Sequence, residues 1–175
     1  MAGEYTEIVE GCRRHQRQAQ RELYERLAPM AMGVCMRYVR NREEARDLVQ
    51  DGFIRVFEHI GQLKDAEKTA AWVRSVMVNE CLRHFRRQRL PMAETEGGVD
   101  AAVWPDDPFG SEEIVLALQR IAPQQQVVFN LVAVEEYSYK EAAQKLHCTE
   151  VNVRALYSRA CAALRAELRI SRNEE

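Results

Sequence analysis

No apolar segment of the chain approaches the ~18 residues that a membrane span requires; Asn130 interrupts the longest candidate, Val127 to Val134. The opening MAGEYTEIVE is acidic and lacks the charged-then-apolar pattern of an export signal. Both absences predict a cytoplasmic protein with no direct membrane insertion. The five cysteines (Cys12, Cys35, Cys81, Cys148 and Cys161) are odd in number and contain no C-x-x-C pair, which argues against a disulfide scaffold. Cys35, Cys81 and Cys161 fall on or near apolar helical faces, where a thiol acts as a small hydrophobe. Cys81 and His84 stand three apart, but no second ligand pair is near in sequence, so no metal is expected. His15, His59, His84 and His147 are scattered, and paired carboxylates, a nucleophile–base arrangement and a phosphate loop are all missing. The sequence therefore predicts neither an enzyme nor a cofactor. Glycine (8) and proline (5) are too few to interrupt most helical segments. The one ambiguous strand, Val127 to Val134, follows Pro123 at a helical first-turn position and Gln124 to Gln126. The expected fold class is all-α.

What is present is unevenly distributed charge. The net −2 of the 175 residues conceals −3 over residues 1–10 and +7 over 11–90. Residues 91–113 carry seven acids and no base, and 114–175 carry +1. Local fields act over about a Debye length, so the near-neutral total does not disfavour a nucleic-acid partner. The acidic stretch also holds Pro91, Pro105, Pro108, Gly97, Gly98 and Gly110 and has no sustained period, which is linker composition. Trp104 and Phe109 are its apolar exceptions, suited to docking on a partner or neighbouring domain. The expected organisation is two small helical domains, 11–90 and 112–170, joined by an acidic flexible linker at 91–111.

Four helices are expected in the first domain. One covers about Gln16 to Leu27, and Pro29 sits in the first turn of a second that continues to about Arg40. Asn41 with Glu44 caps a third, whose inward face is Ala45, Leu48, Val49, Gly52, Phe53, Val56, Phe57 and Ile60. Thr69 caps the fourth, with Trp72, Val73, Val76, Met77 and Cys81 inward and a basic end from Arg83 to Arg89. Residues 1–10 and 170–175 are expected to fray.

Ser138 to Leu164 reads as two helices with a tight turn. Ser138 and Glu141 form a capping box, His147-Cys148-Thr149 makes the turn, and Thr149 caps the second helix. Val153, Tyr157, Ala160 and Leu164 face inward, while Arg154, Ala155, Ser158 and Arg159 share the opposite face. A helix-turn-helix needs this layout, since its second helix holds the core with one side and enters a DNA major groove with the other. Purely structural helix pairs also carry surface arginines, so this segment alone leaves both readings open.

Together, NREEARDLVQDGFIRVFEHI, AWVRSVMVNECLRHFRR, IAPQQQVVFNLVAVEEYSYKEAAQKL and TEVNVRALYSRACAALR resemble four stretches of the extracytoplasmic-function group of bacterial sigma factors, over about residues 15–90 and 112–169. The resemblance implies a region 2-like helical bundle and a region 4-like helix-turn-helix. It further implies a transcription initiation factor that binds core RNA polymerase, recognises −35 and −10 promoter elements and assists melting. On this resemblance Asp47, Gln50 and Asp51 match the polymerase-binding positions. Asn79 matches the residue that captures an unstacked −10 base, with Arg83, Arg86, Arg87 and Arg89 holding phosphates. Thr149, Asn152, Arg154, Ser158 and Arg159 match the −35-reading helix, with Lys140 and Lys145 adding backbone contacts. The acidic linker would thread the polymerase cleft, and an anti-sigma factor is an expected partner.

Three positions depart from the family pattern. Leu156 stands where many members carry Arg, His147 replaces a frequent turn glycine, and Thr69 stands where an aromatic residue is common. The runner-up is a free-standing helix-turn-helix regulator, which has no need of the D-L-V-Q-D-G-F helix. A third reading is a helical protein that sequesters a partner and has no nucleic-acid affinity.

Overall fold

The computed structural model describes residues 3, 5–88 and 111–173, with no side-chain description for 111 and 169–173. The chain divides into two compact units, Met1–His84 and Phe85–Glu175, and every regular element among the described residues is helical. Nearly all of the expected tether, 91–110, lies outside the described residues, with Trp104 and Phe109.

The first unit opens with α1 (Thr6–Arg13) and α2 (Arg17–Met36). Helix α1 corrects the expectation of a frayed terminus: Ile8, Val9, Gly11 and Cys12 are buried in it. Burial, and then the nearby Glu22 charge, push the Cys12 thiol up to about 11. His15, at φ 56°, turns the chain between the two helices. A Cβ on Gly11 would stand 2.5 Å from Cβ of Ala19, so the bare glycine sets how closely α1 approaches α2.

Helix α2 corrects a second expectation, because Pro29 lies inside it rather than opening a new helix. The buried stripe Leu23, Leu27, Ala31, Val34 and Cys35 runs unbroken past Pro29, which is exposed. Burial of large apolar side chains, worth roughly 1.5–3 kcal/mol each, offsets the lost amide bond of a proline on the solvent side.

Helix α3 (Arg42–His59) begins where Asn41 accepts the Glu44 amide at 2.8 Å. It buries Ala45, Leu48, Val49, Gly52, Phe53 and Val56, and the Phe53 ring lies 4.7 Å from that of Tyr24 on α2. Two 3₁₀ turns, Ile60–Gln62 and Ala66–Lys68, lead into α4 (Thr69–Arg87). Val73, Met77, Cys81 and Phe85 are buried on α4, whereas Trp72 and Val76 are half-buried. Thr69 is wholly buried and its hydroxyl donates back to Ala66 at 2.6 Å, so it closes the 3₁₀ turn instead of capping α4.

The second unit contains α5 (Ser111–Arg120), α6 (Pro123–Phe129), a π-helical turn (Asn130–Val134), α7 (Tyr139–Leu146) and α8 (Glu150–Asn173). Helices α5, α6 and α7 all pack on α8, around a core that includes Leu118, Val128, Phe129, Leu131, Val153 and Leu164. The Val-rich run is thus helical, with Pro123 in its first turn as its chemistry predicts. Helix α8 continues into residues expected to fray, as far as Asn173.

Candidate nucleic-acid and partner interface

Helical spacing puts Asp47, Gln50 and Asp51 on one edge of α3, and all three are exposed while Leu48, Val49, Gly52 and Phe53 turn inward. Ile54 continues that edge and is 56% exposed. The sequence analysis missed it; its signal was an apolar side chain out of phase with the buried stripe.

Along α4, Trp72, Ser75, Asn79, Arg83 and Arg86 recur at spacings of three and four, which align them on one face. Asn79, Arg86 and Arg87 are exposed and Arg83 is half-buried. Arg89 lies outside the described residues. At the N-terminal end of this face an open pocket of about 390 Å³ is lined by Leu63, Lys64, Lys68, Trp72 and Ser75 among others. Phe85 is 7% exposed and belongs to the core.

Next to Asn79, the Glu80 side chain is only 4% exposed and sits 2.9 Å from Nε of Arg55 and 3.6 Å from Nη1 of Arg83. A buried carboxylate needs such partners. Arg83 is therefore partly committed to the protein, and so is Arg86, whose Nη1 donates to the Lys145 carbonyl at 3.3 Å and lies 3.1 Å from His147 Nε2, although Arg86 and Arg87 are both exposed.

In the second unit the expected capping box is complete. The Glu141 amide donates to Ser138 Oγ at 3.2 Å, and the Ser138 amide donates to Glu141 Oε2 at 2.9 Å. His147 adopts the left-handed region (φ 54°, ψ 44°) that the frequent glycine would occupy, and thereby ends α7. Thr149 Oγ1 accepts the Asn152 amide at 3.2 Å, starting α8.

On α8, Thr149, Arg154 and Arg159 are exposed and Ser158 is half-buried, all within reach of a ligand. One expectation fails here: Ala155, read on the polar face, is 1% exposed, because the neighbouring helices bury more than the narrow stripe read from the sequence. Asn152, expected at the helix start where backbone amides favour phosphate, has a buried side chain at 2% exposure. Leu156 is buried too, at 8% exposure.

Arg154 is held from two sides. Its Nη2 lies 2.8 Å from Glu150 Oε1, and its guanidinium carbon stands 5.0 Å from the centroid of Tyr139 on α7. Lys145 is likewise 4.8 Å from the centroid of Tyr137. Glu150, Tyr139 and Tyr137 were not singled out in the sequence: the Glu150–Arg154 pair was signalled by its i,i+4 spacing within one helix, whereas the contacts of Tyr139 with Arg154 and Tyr137 with Lys145 depend on how the chain turns.

Among the described residues no group of three His, Cys, Asp or Glu side chains could hold a metal ion. Cys81 instead lies with its Sγ 3.8 Å from that of Cys35, and that contact, followed by burial, pushes its thiol well above the ordinary range. No helix among the described residues is long and apolar enough to cross a membrane.

Residues 23–90 match the family description Sigma-70 region 2, and residues 111–164 match Sigma-70, region 4. The RNA polymerase sigma-E factor of Streptomyces avermitilis is 30% identical over 134 residues, covering 75% of this chain and 75% of that protein. The chain belongs to the sigma-70 family. Its relatives include the RNA polymerase sigma factor CarQ of Myxococcus xanthus, 29% identical over 125 residues that cover 69% of this chain and 72% of that protein. The fold is shared with the sigma factor RpoE of Bartonella quintana, solved in complex with the anti-sigma factor NepR. That likeness has a TM-score of 0.53 at 20% identity and covers 86% of this chain and 96% of the other. As a sigma factor of the extracytoplasmic-function type, the chain binds core RNA polymerase and promoter DNA, and it is not an enzyme.

Proposed function

We propose that this sigma factor divides its work among three surfaces. Asp47, Gln50 and Asp51, with Ile54 continuing the same edge, bind core polymerase: carboxylates and an amide suit an Arg-rich partner, and Ile54 supplies apolar contact. The aligned face of α4 reads the −10 element. Asn79 presents a donor and an acceptor to an unstacked base, Trp72 and the pocket shelter it, and Arg83, Arg86, Arg87 and Arg89 hold phosphates. Arg154, Ser158 and Arg159 read the −35 element in the major groove, and Thr149 with the first amides of α8 meets phosphate.

The observation that carries this reading is the continuity of the α4 face, where a pocket, an amide and exposed arginines follow one another at helical spacing. Unstacking a base costs a few kcal/mol, and contacts of this kind are what offset it. The division into −10 and −35 readers follows the family's regions 2 and 4. The Bartonella complex further supports an anti-sigma factor as a regulatory partner, and the chain is expected to act in the cytoplasm alongside polymerase.

The test is promoter selection by reconstituted holoenzyme from a library randomised at both elements. Asn79→Ala should relax preference only at −10, and Arg154→Ala only at −35. Substituting Asp47 and Asp51 with Lys should weaken holoenzyme formation without altering preference. Interchanged or absent effects would contradict the assignments.

A further inference from the structure

Helix α1 precedes the residues that match Sigma-70 region 2, which begin at 23. It is nevertheless docked: Ile8, Val9 and Cys12 are buried, and Gly11 lets it close on Ala19 of α2. Its far end packs against both 3₁₀ turns that connect α3 to α4. There the Arg13 guanidinium donates to the carbonyl of Leu63, fifty residues away, while its other side pairs with Glu10.

That connection forms a wall of the pocket on α4, through Gln62, Leu63, Lys64 and Lys68. Its internal bonds are local. The Leu63 amide bonds Ile60 at 3.3 Å, the Lys68 amide bonds Asp65 at 3.1 Å, and the Thr69 hydroxyl bonds Ala66 at 2.6 Å. Each of these shapes one turn without fixing the segment to the bundle. The Leu63 side chain is anchored in the core at 6% exposure, and Arg13 anchors the backbone at the same residue. Glu10 occupies the charge of Arg13, and the arginine side chain is two-thirds covered, so this arginine is poorly placed to hold a phosphate.

We infer that α1 is a strut for the pocket wall and that Arg13 is a positioning residue for base capture. The inference rests on the reading of the α4 pocket as the −10 base site. It names a contribution from outside the family-matched region, made through the loop and not through contact with DNA. Releasing the Leu63 carbonyl lets the wall drift against Trp72, and displacements near 1 Å are enough to weaken a fitted contact.

The experiment uses full-length protein with core polymerase and a promoter library randomised at the −10 element. Arg13→Ala should lower discrimination at the captured base by about tenfold, with core affinity and −35 preference unchanged. Arg13→Lys, which keeps a donor but loses the fork, should fall between. Glu10→Gln, which keeps the Leu63 bond and removes its orienting charge, should shift preference in the same direction by less and serves if Arg13→Ala folds poorly. Unchanged −10 preference in Arg13→Ala, with preference lost in Asn79→Ala, overturns the strut alone. A uniform loss across all promoters marks a role in stability only and also overturns it. If Asn79→Ala and Trp72→Ala leave −10 preference intact, the pocket reading fails and takes this inference with it.

Discussion

Arg55 on α3 donates from Nε to the buried carboxylate of Glu80 on α4 across 2.9 Å. The bond joins the helix that carries Asp47, Gln50 and Asp51 to the one that carries Asn79, next in sequence to Glu80. Arg55→Ala leaves Glu80 with Arg83 at 3.6 Å as its remaining ion-pair partner. Hydrogen bonds to charged groups contribute about 1.5–3 kcal/mol, and the partial exposure of Arg55 favours the lower end. Thermal unfolding should therefore show a lower melting temperature for Arg55→Ala, with Glu80→Gln intermediate. Equal stability in all three proteins would remove the bond from the account.

Two glycines at helix crossings predict different costs. At Gly11 an added Cβ meets the Cβ of Ala19 at 2.5 Å, which cannot move without moving α2. At Gly52 it meets Sδ of Met77 at 2.4 Å and Cε at 2.8 Å, the flexible end of a side chain. Gly11→Ala should therefore displace α1 and expose its amides to hydrogen exchange, whereas Gly52→Ala should repack Met77 at a cost of about 1–3 kcal/mol with α1 protection retained.

These two crossings also mark what the sequence could and could not convey. The α3 stripe, the Asn41 cap, the Ser138–Glu141 box and the His147 turn were legible because each is set by residues within a turn or two of one another. Pro29 misled because its local preference for a first turn is real; only the buried stripe on both sides, a tertiary fact, keeps α2 continuous through it. Helix α1 was obscured by an acidic, short segment whose stability comes from docking and not from propensity. The burial of the Asn152 side chain, at 2% exposure, was not legible either, because the fold and not the local spacing sets it. Nothing local in the sequence marks Glu80 as buried, since its partner Arg55 lies twenty-five residues away.

The capping box gives a pH prediction. Hydrogen bonds from the Ser138 hydroxyl and then its amide hold the Glu141 carboxyl below its ordinary 4.5. A depressed folded value means the ionised carboxylate contributes fully above that ordinary value, and the contribution fades as pH falls through the lower folded one. The melting-temperature gap between the unaltered protein and Ser138→Ala should stay constant from neutral pH down to about 5 and narrow below 4.5. It should not close, because the Ser138 oxygen also caps the Glu141 amide at any pH. A gap that widened in acid would contradict the box.

Arginines that read bases and arginines that hold phosphates should separate experimentally. Arg154→Lys keeps the charge but loses both the fork and the stacking over Tyr139. Preference at one −35 base pair should fall by about 1–3 kcal/mol with little change in salt dependence. Arg87→Ala should leave every base preference intact and reduce the slope of log affinity against log salt by about one. Reversed outcomes would exchange the roles of the two residues.

The most direct measurement is in vitro transcription by bacterial core polymerase, with and without this protein, on a pool of promoter DNA, followed by sequencing of the transcripts' upstream regions. The account predicts transcripts that depend on the protein and share paired −35 and −10 motifs, the −10 motif being lost with Asn79→Ala and the −35 motif with Arg154→Ala. A protein that binds promoter DNA but neither joins core polymerase nor yields such transcripts would contradict it.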